Sequence, residues 1–592
     1  MSHRHIALVA ALFIAQGAAY AQSGANIGEI QKPEAMPAVE SAPETEEAKK
    51  PEIPARKIVE APAPAGLTVN AAGPKLVVCL SIDQFRWDYF PKFNEYLGED
   101  GFKRIVREGQ VSFNCNYEYG NTVTAAGHTT MMTGVNPRYH GILGNGFWSR
   151  TEKKSVHNCA DKNTKTVASS GITGRDGYSS FRRMRPAVGD DLYAATGGKA
   201  KLLSIALKDR SAIMMGPAKG GEVYWFDGAA DEFVTSTAYA DAVSPWMKEF
   251  QSTRPQDQWI GKEWKKKLPD AEYLKHCTID DFAGESAGKF PKTFPKMFEK
   301  KAGTNYYDQL ETSPFGDRLT AEAAIAGMKA LEMGKDDVPD LLTISFSSFD
   351  KAGHQYGADS WEMMDFFLHE DDNVALLLRA LDEQVGAGNY LLILTADHGV
   401  CPLPEFAVER GFPAARINER ALTEAAEEFL VEKFGEPMTD SPYIVEFDNP
   451  FIIFDPNRGE VRPTVEELAA ATDEWIHGAV GIADSFTRKE LEEATPDNPM
   501  AWAARLSMSE NGGGDLYLLT APFYFFSYYP LGTTHGTPNE YDTRVPMMAF
   551  GAGYGKYSQE NPDKHDLPEA TSPRWMATAA RTALSLPIPK DE

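Results

Sequence analysis

Four short runs of nearly uninterrupted apolar residues, each closed by charged or imidazole side chains, constrain this chain more than any other feature. They lie at 75–82 (KLVVCLSI), 201–207 (KLLSIAL), 341–347 (LLTISFS) and 390–395 (YLLILT). Continuous rather than alternating apolarity predicts strands buried on both faces, as in a mainly parallel sheet. Helical patterns lie between them at 321–333 and 372–385, so the expected fold class is α/β with a layered core. In such a sheet ligands gather beyond the carboxyl ends of the strands. The first run ends in Asp83, the second in Lys208 and Arg210, the third in Asp350, and the fourth in Asp397 and His398. Polar groups are therefore expected to converge on one edge.

With 592 residues, 42% of them hydrophobic, the chain can bury a large core. Residues 1–21 carry Arg4, an apolar stretch over 6–15 and an Ala19-Tyr20-Ala21 ending, the pattern of a signal peptide cleaved after Ala21. The expected location is the periplasm or the exterior. The stretch is too short to span a bilayer and no later one is long enough without charges, so no membrane span is expected. Residues 22–70 repeat Pro, Ala and Glu with little apolar content and read as a disordered linker. The remaining 71–592 divide into a core of 71–217, 316–402 and 513–592 with two insertions, 218–315 and 403–512. The second insertion carries amphipathic helix patterns at 465–476 and 487–494. Five cysteines are few and odd in number for an exported chain, so no full disulfide framework exists. Cys115 and Cys159 are candidate disulfide partners. A net charge of −26 repels phosphate backbones and anionic headgroups, which excludes nucleic acid as the main partner. A small anion could be held only where metal ions or focused cations reverse the local field.

Asp and His are ligands that zinc takes while keeping an open position. The sets are Asp83; Asp350 and His354 in Asp350-Lys351-Ala352-Gly353-His354; Asp397-His398; and His535 in Gly532-Thr533-Thr534-His535-Gly536. Asp350 and His354, at i and i+4, face one point if a helix follows their strand. An adjacent Asp-His pair serves one ion poorly, so Asp397 and His398 divide naturally between two nearby ions. A second element is Asn121-Thr122-Val123-Thr124-Ala125-Ala126-Gly127-His128-Thr129-Thr130, followed by His140-Gly141-Ile142-Leu143-Gly144-Asn145. Small residues after Thr124 let a helix start beside the metals, where its N–H groups and dipole favour a phosphate. A bare N-capping threonine is the plainer alternative. Lys208 and Arg210, at i and i+2, share one face if the strand continues.

These motifs resemble the alkaline phosphatase superfamily, in particular its bacterial, phosphate-irrepressible alkaline phosphatases with a threonine nucleophile, over nearly all of residues 75–555. The resemblance implies a three-layer α/β/α core and two zinc ions. One is held by Asp350, His354 and His535, the other by Asp83, Asp397 and His398, with Thr124 bridging to the second. It also implies that Asn145, Lys208 and Arg210 hold the transferred phosphoryl group. The expected reaction is broad phosphate monoester hydrolysis through a covalent phosphothreonine on Thr124. Manganese or cobalt are accepted substitutes for zinc in such oxygen-rich sites. Additional calcium stays open, since no EF-hand-like loop assigns it. The branch leans towards a monomer.

The nearest competitor, the nucleotide pyrophosphatase and phosphodiesterase branch, shares the threonine, the asparagine and the metal ligands, and the Lys-x-Arg pair argues against it. Sulfatases carry a Cys/Ser-x-Pro-x-Arg motif that is missing at Thr124. Cofactor-independent phosphoglycerate mutases use serine inside the cell. A non-catalytic phosphate or metal scavenger would have no need of the nucleophile. His128 is close enough in sequence to Thr124 to position its turn, while His140, His157, His276, His369, His477 and His565 are expected to be structural or exposed.

Overall fold

The computed structural model describes residues 73–439, 441–459, 461–560 and 566–590. The expected leader, the linker and His565 lie outside them. One compact unit takes in residues 64–477 and 481–592, and of the other only Gly478–Val480, a turn, is described.

The apolar runs become strands because their backbones can be satisfied only by neighbours once both faces are covered. The central sheet comprises β1 (Leu76–Ile82), β2 (Gln110–Asn116), β3 (Ala160–Ala168), β4 (Gly171–Tyr178), β5 (Leu202–Ala206), β6 (Glu222–Asp227), β7 (Glu232–Ser236), β8 (Asp340–Phe346), β9 (Tyr390–Thr395), β10 (Arg544–Gly551) and β11 (Ala570–Thr571). Their order is β11-β2-β10-β9-β1-β8-β5-β6-β7-β3-β4. The middle five, β9 to β6, are parallel, and antiparallel strands extend both sides. All seven residues of β1 and of β8, and all six of β9, are buried.

Seven helices matter to the site or the layers: α1 (Thr124–Thr133), α2 (Val188–Ala195), α3 (Asp209–Met215), α4 (Pro314–Ala330), α5 (Ser348–Tyr356), α6 (Trp361–Gln384) and α7 (Trp575–Ala583). The register shows which helix covers which face. Leu342 pairs with Leu203, and Leu341 with Leu202. Gly327 of α4 lies against Leu203, whereas Gly189 of α2 lies against Leu341. Successive strand residues point to opposite faces, so α2 and α4 flank the sheet on opposite sides and the core has the three expected layers.

Residues 222–236, set within the first insertion by sequence, supply β6 and β7 to the central sheet. Their mixture of apolar and polar residues gave no sign of that. The second insertion forms its own antiparallel sheet, ordered Ile444–Asp448, Phe451–Phe454, Leu516–Thr520 and Ile482–Thr487, so its last strand pairs reach past residue 512. The helix expected over 465–476 forms at Val465–Ile476. Thr464 accepts from the Glu467 N–H and the Glu467 carboxylate accepts from the Thr464 N–H, a reciprocal cap. The candidate disulfide is absent: Cys115 and Cys159 are both free, each packed in a different apolar cluster. Among the described residues no helix is long and apolar enough to cross a membrane.

Candidate metal centre and active site

Each donor reaches the carboxyl edge of the sheet for a local reason. Asp83 follows the last residue of β1, and Asp397 and His398 follow β9. After β8 the chain turns directly into α5, whose first N–H groups lack helical partners. Asp317 of α4 accepts two of them, from Ser348 at 2.9 Å and Phe349 at 3.1 Å. That helix places Asp350 and His354 one turn apart. The His535 loop is strapped on by Thr533, whose N–H donates to the His354 carbonyl at 2.9 Å and whose hydroxyl donates to the Cys401 carbonyl at 2.7 Å. Helix α1 starts at Thr124 and packs so closely that a Cβ at Gly127 would collide with the Asp397 backbone.

The donors fall into two overlapping sets, Asp83 with Asp397 and His398, and Asp350 with His398 and His535. His354 joins the second set through Asp350, its Nε2 lying 3.2 Å from Oδ1. In the first set His398 Nε2 is 3.4 Å from Asp83 Oδ1 and 3.4 Å from Asp397 Oδ2. These three atoms are buried and have no hydrogen-bond partner, the nearest outside group being His128 Nδ1, 3.2 Å from Asp397 Oδ2. Tetrahedral ligands at about 2.0–2.1 Å from one ion stand about 3.3 Å from each other, so the spacing suits a shared cation. The even division of Asp397 and His398 between two ions is not what forms: both belong to the first set, and His398 borders the second as well.

The imidazole tautomers agree with this. A carbonyl only accepts, so Nδ1 carries the proton where it meets one: His354 donates to Thr533 at 2.8 Å, His535 to Thr122 at 2.7 Å and His398 to Gly399 at 2.9 Å. In His398 and His535, Nε2 is left with its lone pair towards the carboxylates, the orientation a metal-binding histidine needs; at His354 the Asp350 carboxylate, 3.2 Å from Nε2, outweighs burial and raises the affinity for a proton, which a bound cation would replace. His128 differs, since it donates through Nδ1 to the Thr124 carbonyl at 2.8 Å and accepts through Nε2 from Ser345 at 2.9 Å. It holds the turn at Thr124. Burial lowers the affinity of His398 for a second proton, and burial together with the neighbouring His398 and His354 carries His535 well below its ordinary range. Both stay neutral, as ligands must. Burial and then the Asp397 charge push Asp83 well above the carboxylate range, the mark of crowded negative charge.

Thr124 is not an N-cap. Val123 takes that place in an extended conformation, without a side-chain cap. Asn145 Oδ1 accepts from the Ala125 N–H at 3.0 Å, which turns its amide NH2 away from the helix. Lys208 is buried, with Nζ between Asp83 Oδ2 and Asp350 Oδ2 at 2.5 Å each. It thus bridges the two donor sets. The strand argument for Lys208 and Arg210 fails, because β5 ends at Ala206 and α3 begins at Asp209. Lys208 is the extended N-cap of that helix and Arg210 lies in its first turn, so the alternation of a strand does not relate them. Arg210 is instead the second residue of α3, half-buried, with Nε buried and without a partner.

Sequence reasoning missed Gln84. Its φ of 65° is left-handed, which costs a non-glycine residue about 1–2 kcal/mol. In that conformation its N–H donates to Asp397 Oδ1 at 3.0 Å and its Nε2 to Asp350 Oδ1 at 2.7 Å. One residue therefore orients a carboxylate from each set. The only trace in the sequence is Gly353, where a Cβ would strike the Gln84 amide oxygen. If the donor sets hold divalent metal, Gln84→Leu is expected to weaken its binding about 10–100-fold, the range for outer partners of metal ligands, in competition with a chromogenic chelator. An unchanged affinity would reduce Gln84 to a spacer.

A sheet with a parallel centre and antiparallel flanks, with Asp/His donors at successive strand ends beside a helix that opens on threonine, defines an alkaline-phosphatase-like α/β protein. The chain belongs to the type I phosphodiesterase / nucleotide pyrophosphatase family, whose family model matches residues 77–542. It is 31% identical over 502 residues to alkaline phosphatase PhoV of Synechococcus elongatus, covering 84% of this chain and 89% of that one. It is 30% identical to alkaline phosphatase PafA of Elizabethkingia meningoseptica, covering 83% and 89%. The crystal structure of wild-type PafA superposes with a TM-score of 0.80 at 27% identity, covering 88% of this chain and 98% of that one.

Proposed function

We propose that the protein is an exported, zinc-dependent alkaline phosphatase that hydrolyses phosphate monoesters of many kinds through a phosphothreonine at Thr124. The observation that carries this reading is the trio of buried, unpartnered atoms, Asp83 Oδ1, Asp397 Oδ2 and His398 Nε2, beside a helix that opens on Thr124. Leaving such atoms without a partner costs several kcal/mol in total at about 1–3 kcal/mol each, which a bound cation offsets. The relatives named above are alkaline phosphatases, in keeping with that chemistry.

Asp83, Asp397 and His398 would hold one zinc ion, and Asp350, His354 and His535 the other. The ions supply Lewis acidity that makes a hydroxyl and a water nucleophilic near neutral pH and offsets charge on the transferred group. The chain itself does the rest. Helix α1 presents the Thr124 hydroxyl from its first turn, where the helix field favours an anion. The Asn145 amide, its oxygen already engaged by Ala125, has N–H donors for a phosphoryl oxygen. Arg210 offers a planar fork and Lys208 a compact charge. Buried donors oriented before the substrate arrives need little rearrangement as charge develops. His354, with a third of its side chain exposed, lies on the open side of the donor sets.

The test is metal removal. A chelator should abolish p-nitrophenyl phosphate hydrolysis by the mature protein, and zinc should restore it. Full activity in the metal-free protein sinks the mechanism.

A further inference from the structure

One cluster of donors has no part in the reaction described above. His157, Cys159 and Asp209 bring an imidazole nitrogen, a thiol sulfur and a carboxylate oxygen within 4.8 Å of one another. His157 ends the short strand Lys154–His157, Cys159 directly precedes β3, and Asp209 opens α3. Two segments of the fold thus converge, 157–159 and the start of α3. We propose that these three side chains form a metal site distinct from the catalytic pair, taking one zinc-class divalent cation through thiolate, imidazole and carboxylate, with a fourth position open to water.

The geometry is that of ligands rather than neighbours. Zinc bonds of about 2.3 Å to sulfur and 2.0–2.1 Å to nitrogen put tetrahedral S and N donors about 3.6 Å apart. Cys159 Sγ and His157 Nδ1 are 3.6 Å apart. The Cys159 N–H donates to Nδ1 at 3.4 Å, which marks Nδ1 as the ring nitrogen with the lone pair; an ion would take that lone pair in place of the N–H. A buried cysteine is most often a small apolar residue. Cys159 is buried among Ile142, Ile213 and Trp225, yet its sulfur meets two polar donors. His157 is exposed and Asp209 half-buried, which gives an ion a way in and lets the carboxylate close the last ångström. Binding would release the thiol proton to solvent.

The cluster is fastened to the proposed phosphoryl-binding residues. Asn158, between His157 and Cys159, donates to the Asn145 carbonyl from its backbone at 3.3 Å and from Nδ2 at 2.5 Å. Asp209 stands between Lys208 and Arg210. An ion at this point would fix the spacing of the segments that carry Asn145 and Arg210.

Cobalt(II) tests the site, because a thiolate ligand gives a near-ultraviolet charge-transfer band that oxygen and nitrogen donors do not. None of the catalytic donors is a cysteine, so the band reports this cluster even if the catalytic reading is wrong. The full chain, stripped of metal and reloaded, should bind three cobalt ions and show the band. Cys159→Ser and His157→Ala should each lose the band and one ion and keep two. His157 is exposed, so its replacement leaves folding intact. Two ions without a band in the parent protein, or a band that survives His157→Ala, overturns the proposal.

Discussion

Thr124→Ala is expected to leave no trappable phosphoenzyme and to lower turnover roughly ten-thousandfold or more, the scale of losing a covalent nucleophile, while zinc stays near two ions per chain. The structural cost should be small. Val123 rather than Thr124 occupies the N-cap, and the threonine side chain caps nothing. Alanine is also the better helix former. The donor sets are held by β1, β8 and β9, by Gln84 and by the His535 loop, none of which leans on the threonine hydroxyl for a hydrogen bond. Rapid quenching with labelled substrate and metal analysis on one preparation separate the outcomes. Loss of metal together with activity would give Thr124 a structural task, and persistence of the phosphoenzyme would move the nucleophile elsewhere.

The donor set was legible because it rests on strand ends. A run such as LLILT can be satisfied only inside a sheet, and whatever follows it lies at the sheet's edge, so Asp83, Asp350, Asp397 and His398 could be placed together before any geometry was known. Gln84 was not legible, because its role arises from one left-handed backbone angle that no residue type other than glycine announces. The same limit applies after β5. Nothing in Leu-Lys-Asp-Arg says that the helix starts at Asp209, and the assumed continuation of the strand put Lys208 and Arg210 on one face that does not exist. β6 and β7 were hidden for another reason. They lie where the sheet turns from parallel to antiparallel, and their mixed apolar and polar residues read like any covering segment. The pairing of Cys115 with Cys159 failed because cysteine spacing carries no distance information.

The choice between monoester and diester chemistry turns on Lys208 and Arg210. A monoester brings more charge on its non-bridging oxygens than a diester, which must also fit a second organic group. Two charge-assisted hydrogen bonds at about 1.5–3 kcal/mol each predict that Lys208→Ala/Arg210→Ala lowers kcat/KM for p-nitrophenyl phosphate about 10²–10⁴-fold. The value for bis-p-nitrophenyl phosphate should change less than about tenfold by the same arithmetic. The double variant alone is ambiguous, since Lys208 also lies between Asp83 and Asp350 and its loss leaves two donor carboxylates facing each other. Arg210→Ala resolves this. No hydrogen bond or ion pair joins its guanidinium to the donor set, its ion-pair contact being Asp209 at 3.8 Å, so zinc content should hold while monoester preference falls. If selectivity instead follows metal content across Lys208→Ala, Arg210→Ala and the double variant, the lysine's task is to space the two donor sets. A diester preference indifferent to all three would place the chain with the phosphodiesterases of its family and return Arg210 to the ordinary start of a helix.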